Sequence, residues 1–187
     1  MTEGPYYLDL DLVRSDITED REGAAMAMSL VVIDVNSGSP VEGAAVDVWH
    51  CDANGLYSGF VDQSAGSNQG ATDLSDSGTF LRGTQLTDAS GMVTFATIYP
   101  GWYQGRTVHI HVKVHVDGNE IHTGQLFFDD SFTDEVYAAN EPYASRSERT
   151  TRNDRDNIYG GGGDLSTLTV QQTGSGYTGT LTMGVEG

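Results

Sequence analysis

Two histidines and two tyrosines are the residues of this sequence whose types best suit metal chemistry. His109 and His111 alternate within the run 106–116 (RTVHIHVKVHV). In a β-strand, side chains two residues apart point to one face, about 7 Å apart along the backbone, so these imidazoles can lean toward one cation. A metal bound there needs further ligands from separate loops, and Tyr57 and Tyr99, each beside a turn, are candidates for supplying oxygen.

Each of these residues also has an ordinary structural explanation. Histidines at alternate strand positions can simply face water, and a short motif alone is weak evidence for a site. Tyrosines beside turns commonly cover a hydrophobic core while their hydroxyl groups stay in water. The single cysteine, Cys51, excludes an internal disulfide and a multi-cysteine zinc site. These residues alone therefore allow two interpretations: a metal site, or ordinary surface and core-covering side chains.

The elements that must position these residues are predicted to be β-strands. Alternating or β-branched apolar runs recur along the chain between clusters of turn residues. Two hairpins are expected, one joining 79–86 to 92–98 and one joining 106–116 to 120–128. The remaining predicted strands are 26–35, 44–49, 165–171 and 178–185.

Little of the sequence has helical periodicity. Residues 60–78 read as a long surface loop, 134–139 as one or two helical turns, and 146–156 as a solvated charged loop. Short strands separated by turns predict an all-β fold, an antiparallel β-sandwich with long loops and little helix. We expect a single domain over residues 1–187, with 184–187 a possible linker stub.

Composition and charge narrow the classes of partner. The chain carries 27 acidic and 9 basic side chains, for a formal net charge of -18. Such a field repels phosphate backbones and anionic lipid, so we expect neither a nucleic acid nor a membrane as a partner. The single lysine and the many Gly, Ser and Thr residues are typical of a secreted protein.

Several segments of the sequence match, in order, the motifs of one enzyme family. The segments are 3–7 (EGPYY), 49–57 (WHCDANGLY), 87–91 (TDASG), 97–111 (TIYPGWYQGRTVHIH) and 125–128 (QLFF). Together they resemble the intradiol ring-cleavage dioxygenases, in the compact, secreted-type branch with a single catalytic domain. In that branch a further module sometimes follows the catalytic domain.

The resemblance implies a ligand set for non-haem Fe(III). The expected protein ligands are Tyr57, Tyr99, His109 and His111. Tyr99 is preferred to Tyr103 as the second tyrosine, because the family's ligand is followed by proline. Two tyrosinates and a hydroxide would balance the three positive charges of the ion.

The resemblance also implies roles around that centre. Arg106 would stabilise negative charge developing on a bound ring, Gln125 would orient either Arg106 or the peroxide formed from O2, and Tyr99 would accept a substrate proton. Four further residues are expected to line the substrate pocket: Pro5, Tyr6, Trp102 and Tyr103.

The implied activity is cleavage of a catechol-type ring by O2, between the two hydroxyl-bearing carbons, to give a cis,cis-muconate-type diacid. Two alternatives of other classes stay open at this point. One is a non-catalytic, secreted β-sandwich binding module. The other is a zinc or copper hydrolase that uses the two histidines.

Overall fold

The computed structural model describes residues 2–61 and 76–186 of the 187-residue chain. These residues form eight strands, one α-helix and four short 3-10 helices. The strands are β1 (Ala25–Asp34), β2 (Ala45–Trp49), β3 (Arg82–Leu86), β4 (Met92–Ile98), β5 (His109–Val116), β6 (Asn119–Phe127), β7 (Thr169–Thr173) and β8 (Gly176–Val185). The helix α1 is Asp130–Ala139, and the 3-10 helices are Tyr143–Ser145, Asn153–Arg155, Tyr159–Gly161 and Gly163–Ser166.

The strands form two four-stranded sheets, and the predicted all-β sandwich is confirmed. One sheet has the order β4-β1-β8-β7 and the other β3-β2-β5-β6. The pairings are antiparallel except for β1 with β8, which run parallel. That parallel pair was not expected, because strand periodicity does not encode the direction of a non-local partner.

Alternation along the strands places the core between the sheets. In β1, Met26, Met28, Leu30 and Val32 are buried at every second position. Even-numbered residues of β5 fill the other side, as the sequence predicted for the valine face. Each fully buried side chain of this kind stabilises the fold by roughly 1.5–3 kcal/mol.

Strand β5 is buried on both faces, which the polar alternation did not suggest. His109, His111 and Lys113 are each at most 5% exposed, although their even-numbered neighbours face the core. A second cluster of buried side chains covers this outer face: Tyr6, Trp49, Cys51, Tyr57 and Phe60. The explanation that the histidines face water is therefore wrong.

One of the two predicted hairpins does not form. The segments 79–86 and 92–98 contribute to opposite sheets, since β3 pairs with β2 and β4 pairs with β1. The turn Asp88–Gly91 is present, with Gly91 N donating to Asp88 O at 2.8 Å, but it carries the chain between layers. The second predicted hairpin, β5 with β6, is confirmed.

The polar regions differ from expectation in specific ways. Helix α1 is longer than the predicted 134–139 because Asp129 caps it, accepting from Phe132 N at 2.9 Å. The segment 146–156 is not simply solvated, since the Arg149 side chain is 3% exposed and pairs with Asp130. The predicted loop 60–78 lies largely outside the described residues.

None of the helices in the described ranges has the length and apolarity needed to cross a membrane.

Candidate metal centre

Four side-chain donor atoms converge on the outer face of β5. The Nε2 atoms of His109 and His111 are 3.1 Å apart. The hydroxyl oxygen of Tyr103 lies 3.1 Å from His109 Nε2, and that of Tyr57 lies 3.5 Å from the same atom. Two phenol oxygens and two imidazole nitrogens therefore face one point.

Strand pairing fixes the two imidazole rings. In the register of the sheet, Trp49 on β2 and Gln125 on β6 flank His111. The Trp49 ring stacks on His111, with ring centroids 4.8 Å apart and planes 10° apart. His109 Nδ1 lies 2.7 Å from Thr107 O, so that nitrogen carries the proton and Nε2 keeps a lone pair directed into the cluster.

A tight turn delivers Tyr57 to the cluster. Asp52 Oδ1 accepts from the backbone N–H groups of Asn54 and Leu56, each at 2.9 Å. Gly55 closes the turn with φ +87°, a conformation that favours glycine. Tyr57 follows two residues later and is fully buried. The local sequence DANG therefore encodes the approach of this phenol.

The loop between β4 and β5 delivers Tyr103, and it is held against the same turn. Gly101 N donates to Asp52 O at 3.1 Å. Arg146 bridges the two segments, donating to Ala53 O at 2.6 Å and to Trp102 O at 2.7 Å. The backbones that precede the two cluster tyrosines are thus tied to one guanidinium.

The structure does not place Tyr99 in the cluster, and the expectation that it is the second tyrosine ligand needs correction. Its hydroxyl lies 2.8 Å from Thr133 Oγ1 on α1, and its ring packs at 4.5 Å from that of Phe128. Val93 and Phe95 are buried at alternate positions of β4, and Tyr99 continues that alternation into the core. The same correction applies to its expected role as proton acceptor.

Tyr103 takes the place that the sequence assigned to Tyr99. The proline after Tyr99 favours Tyr99 as the ligand, but Pro100 lies at the core, where its carbonyl accepts from Tyr137 OH at 2.8 Å. The signal that could have identified Tyr103 is the alternation of buried residues along β4. Continued to residue 99, it places the Tyr99 side chain in the core between the two sheets, away from the outer face of β5.

The N-terminal segment covers the cluster. The Tyr6 ring stacks on that of Tyr57 at a centroid distance of 4.6 Å. Gly4 passes so close to His111 that a Cβ on Gly4 would lie 2.9 Å from Cε1 of that imidazole. Glu3 forms an ion pair with Lys113, the next outward-facing residue of β5 after His111. Water is thereby excluded from the edge of the histidine pair.

A cleft of about 190 Å³ opens onto the cluster. Of the predicted pocket residues, Pro5, Tyr6 and Tyr103 line it. Trp102 does not, because its ring lies beneath the Arg146 guanidinium at 4.6 Å. The remaining lining residues are Thr2, Gly4, Arg106 and Ile158.

Arg106 and Gln125 meet beside the cluster. Arg106 Nη2 donates to Gln125 Oε1 at 2.5 Å, and Nη1 lies 3.5 Å from His109 Nε2. Arg106 Nε donates to Asp156 Oδ2 at 2.9 Å. Sequence reasoning missed Asp156, which ends the charged run 146–156 that was interpreted as a solvated loop.

Burial keeps the donor atoms neutral in the protein without a cation. Burial, aided by Arg106, lowers the pKa of His109 well below its usual range, and burial with neighbouring His109 does the same for His111. Burial raises the pKa of Tyr57 and of Tyr103 well above that of free tyrosine. The histidines therefore present unprotonated nitrogen at neutral pH, while each phenol needs a nearby cation to ionise.

The donor set fits a hard trivalent metal ion. Within the described ranges, no group of three or more His, Cys, Asp or Glu side chains is placed to hold a metal, so the cluster is defined by its tyrosines. His111 Nδ1 is buried without a hydrogen-bond partner in the same residues. The hydroxyl oxygens of Tyr57 and Tyr103 and the Nε2 atom of His111 all lie within 3.5 Å of His109 Nε2, and such a group of oxygen and nitrogen donors suits one metal ion.

The family of the chain follows from its sequence and fold together. A family profile described as Dioxygenase (Dioxygenase_C) matches residues 2–156. The chain belongs to this family, the intradiol dioxygenases. This is the family that the motifs of 49–57 and 97–111 indicated.

A solved structure with the same architecture is titled an intradiol ring-cleavage dioxygenase from Tetranychus urticae. It is 36% identical, with a TM-score of 0.91, over 98% of this chain and 91% of that one. The dioxygenase domain of a dioxygenase carbohydrate-binding protein fusion from Streptomyces sp. SirexAA-E is 28% identical, with a TM-score of 0.72, over 100% and 96% of the two chains.

Curated relatives also carry dioxygenase names, but their alignments cover smaller shares of both chains. A chlorocatechol 1,2-dioxygenase from Cupriavidus pinatubonensis is 31% identical over 150 residues, 68% of this chain and 53% of the relative. One from Pseudomonas sp. (strain P51) is 28% identical over 147 residues, 68% of this chain and 54% of the relative. The chain thus spans about half the length of the curated relatives it matches. Neither alternative, the binding module or the hydrolase, is favoured by these comparisons.

Proposed function

We propose that this protein is a non-haem Fe(III) dioxygenase that cleaves catechol-type rings between the two hydroxyl-bearing carbons. Both atoms of O2 enter the product, a cis,cis-muconate-type diacid. The observation that carries this proposal is the convergence of Tyr57, Tyr103, His109 and His111 beside a cleft lined by Arg106. Family membership and the names of the relatives support it.

In this proposal the four converging side chains hold the iron. Bound Fe(III) supplies a hard Lewis acid that favours phenolate and diolate oxygens and makes a bound diol reactive toward O2. Tyr57 is fully buried, whereas Tyr103 lines the cleft. Tyr103 Oη is therefore the protein oxygen positioned to take a proton from an incoming diol hydroxyl.

The other residues bind and orient the ring. Arg106 directs a guanidinium at the mouth of the cleft and stabilises negative charge that develops on the substrate. Gln125, fully buried, accepts from Arg106 and so limits its rotation. Tyr6, Pro5 and Ile158 supply apolar walls that exclude water from the reacting atoms.

Oxygen uptake by the iron-loaded protein tests this function. With catechol, methylcatechols, chlorocatechols, hydroxyquinol and protocatechuate offered separately, we expect at least one diol to consume one O2 per ring and to yield a diacid. His109→Ala is the matched negative control because it removes a central donor from the cluster. No oxygen uptake with any diol, despite stoichiometric iron, would contradict the proposal.

A further inference from the structure

The guanidinium of Arg106 is held on two sides by buried acceptors. Its Nε donates to Asp156 Oδ2 at 2.9 Å, and its Nη2 donates to Gln125 Oε1 at 2.5 Å. Because a guanidinium is planar and rigid, two such bonds fix the direction of the third nitrogen. That nitrogen, Nη1, is the one that faces the metal cluster, 3.5 Å from His109 Nε2.

Asp156 is built into the fold rather than placed on its surface. Only 4% of the residue is exposed. Besides Arg106, its Oδ2 accepts from Thr107 N at 2.8 Å, while Oδ1 accepts from Ile158 N at 2.8 Å and Tyr159 N at 3.2 Å. Both carboxylate oxygens are therefore committed to donors, and the charge is fixed in place.

The charge of Asp156 is maintained despite its burial. Burial alone would raise the pKa of this carboxyl group, but the Arg106 guanidinium and the backbone N–H of Thr107 outweigh it and hold the pKa below its ordinary value. A charge-assisted bond from a buried carboxylate is stronger and more directional than a neutral one. Asp156 can therefore fix the orientation of Arg106 in a way that a solvated acid cannot.

We propose that Asp156 is a positioning residue for ring cleavage, acting through Arg106. This inference rests on the proposed function, in which Arg106 stabilises charge on the substrate. Asp156 reaches Arg106 from a separate segment of the chain, fifty positions further on. The same carboxylate folds the turn that carries Ile158 into the cleft wall, so it couples the orientation of the guanidinium to the shape of the cleft.

Asp156→Asn tests the proposal on the full iron-loaded chain. We expect kcat for the best diol to fall by ~10-fold to 100-fold, as for other residues that orient a group next to a metal centre, while KM changes much less. The visible band and the iron content should stay at wild-type values, because Asp156 contacts none of the four donor side chains. Asp154→Asn is the matched control, since that neighbouring carboxylate has a side chain 72% exposed.

A double-mutant cycle with Arg106→Ala separates positioning from general structural damage. If Asp156 acts through Arg106, Asp156→Asn should lower kcat by less than about twofold in the Arg106→Ala background, because the guanidinium is absent and the asparagine oxygen can still accept from Ile158 N. An equal loss in both backgrounds, or wild-type kcat for Asp156→Asn, would overturn the proposal. So would an Asp154→Asn loss as large as that of Asp156→Asn.

Arg106→Lys provides a second route if Asp156→Asn does not fold. A lysine keeps the charge but cannot reach Asp156 and Gln125 with a rigid fork, so kcat should again fall ~10-fold or more. Wild-type kcat for Arg106→Lys would contradict the inference. Failure of the proposed function itself looks different, because the unmodified protein would then consume no oxygen with any diol.

Discussion

Tyr99 begins the loop between β4 and β5 and Tyr103 lies in the middle of that loop, and their hydroxyl groups face different surroundings. The Tyr99 hydroxyl meets Thr133 in the hydrophobic core, whereas the Tyr103 hydroxyl lies 3.1 Å from His109 Nε2. Both are tyrosines of one short stretch of sequence, four residues apart. The comparison shows that the local motif does not decide which phenol can bind a metal. What decides it is whether the side chain faces the core or the outer face of β5.

The stability of the fold should respond differently to truncation of the two tyrosines. Tyr99→Ala removes a fully buried ring that packs on Phe128, and we expect the free energy of unfolding to fall by about 3–5 kcal/mol. Tyr103 is only half-buried, so Tyr103→Ala should cost clearly less. Urea denaturation of both variants without iron provides the measurement. Equal losses would show that Tyr103 also acts as a core residue.

Two glycine substitutions test how tightly the backbone just before Tyr103 packs against the turn that precedes Tyr57. A Cβ on Gly55 would lie 2.3 Å from Trp102 O, whereas a Cβ on Gly43 would meet no atom within 4 Å. Both glycines have positive φ, +87° and +75°, so each alanine carries a similar backbone cost of about 1–2 kcal/mol. We expect Gly55→Ala to cost roughly 1–3 kcal/mol more than Gly43→Ala in thermal or urea unfolding, because the loop must move.

Loss of the Arg146 bridge should also weaken the packing of the segment before Tyr103, with a smaller loss of stability. Arg146→Ala removes two charged hydrogen bonds to the backbones of Ala53 and Trp102, and we expect a loss of about 2 kcal/mol. Iron should also dissociate faster, which a chelator competition assay measures. Arg152→Ala is the control, since that side chain is 50% exposed and should change stability by less than ~0.5 kcal/mol. Unchanged iron release in Arg146→Ala would contradict a positioning role for this bridge.

The smallest effect is expected at the cap of α1, the helix whose Thr133 meets the Tyr99 hydroxyl. Asp129→Ala removes the side chain that accepts from Phe132 N and should cost about 1 kcal/mol at neutral pH. Hydrogen bonds from Ser131 and Phe132 N hold the pKa of Asp129 below its ordinary value. A depressed pKa stabilises the fold above the unfolded value of ~3.9 and loses that effect as the pH falls through the folded pKa.

The difference between wild type and Asp129→Ala should therefore shrink in unfolding measurements as the pH is lowered from 6 toward 3. The visible band of the iron-loaded variant should match wild type, because α1 contacts Tyr99 and not Tyr103. A difference that grows on acidification would contradict the assignment of Asp129 as an ionised cap.

Local patterns were sufficient to predict most strands and part of the site. The alternation of 106–116 placed His109 and His111 on one face, and the turn sequence before Tyr57 indicated how that phenol is presented. These features depend on neighbours in sequence, where periodicity and turn chemistry act directly.

Features that depend on distant partners could not be predicted in the same way. Asp156 meets Arg106 only because its segment packs against the loop before β5, and nothing in its charged neighbourhood distinguishes it from Asp154. The failed hairpin at Asp88–Gly91 has the same cause, since a turn does not specify which sheet its strands will join. The extracellular location and the single domain over residues 1–187 stay predictions.

The identity of the second tyrosine ligand is tested most directly by visible absorption of the Fe(III)-loaded protein. Wild type, Tyr99→Phe and Tyr103→Phe should be compared at equal iron content, since each change removes one hydroxyl and keeps the ring. We expect wild type and Tyr99→Phe to share the same tyrosinate-to-iron charge-transfer band, and Tyr103→Phe to shift or weaken it. A band that Tyr99→Phe abolishes and Tyr103→Phe leaves intact would contradict the placement of the metal between Tyr57, Tyr103, His109 and His111.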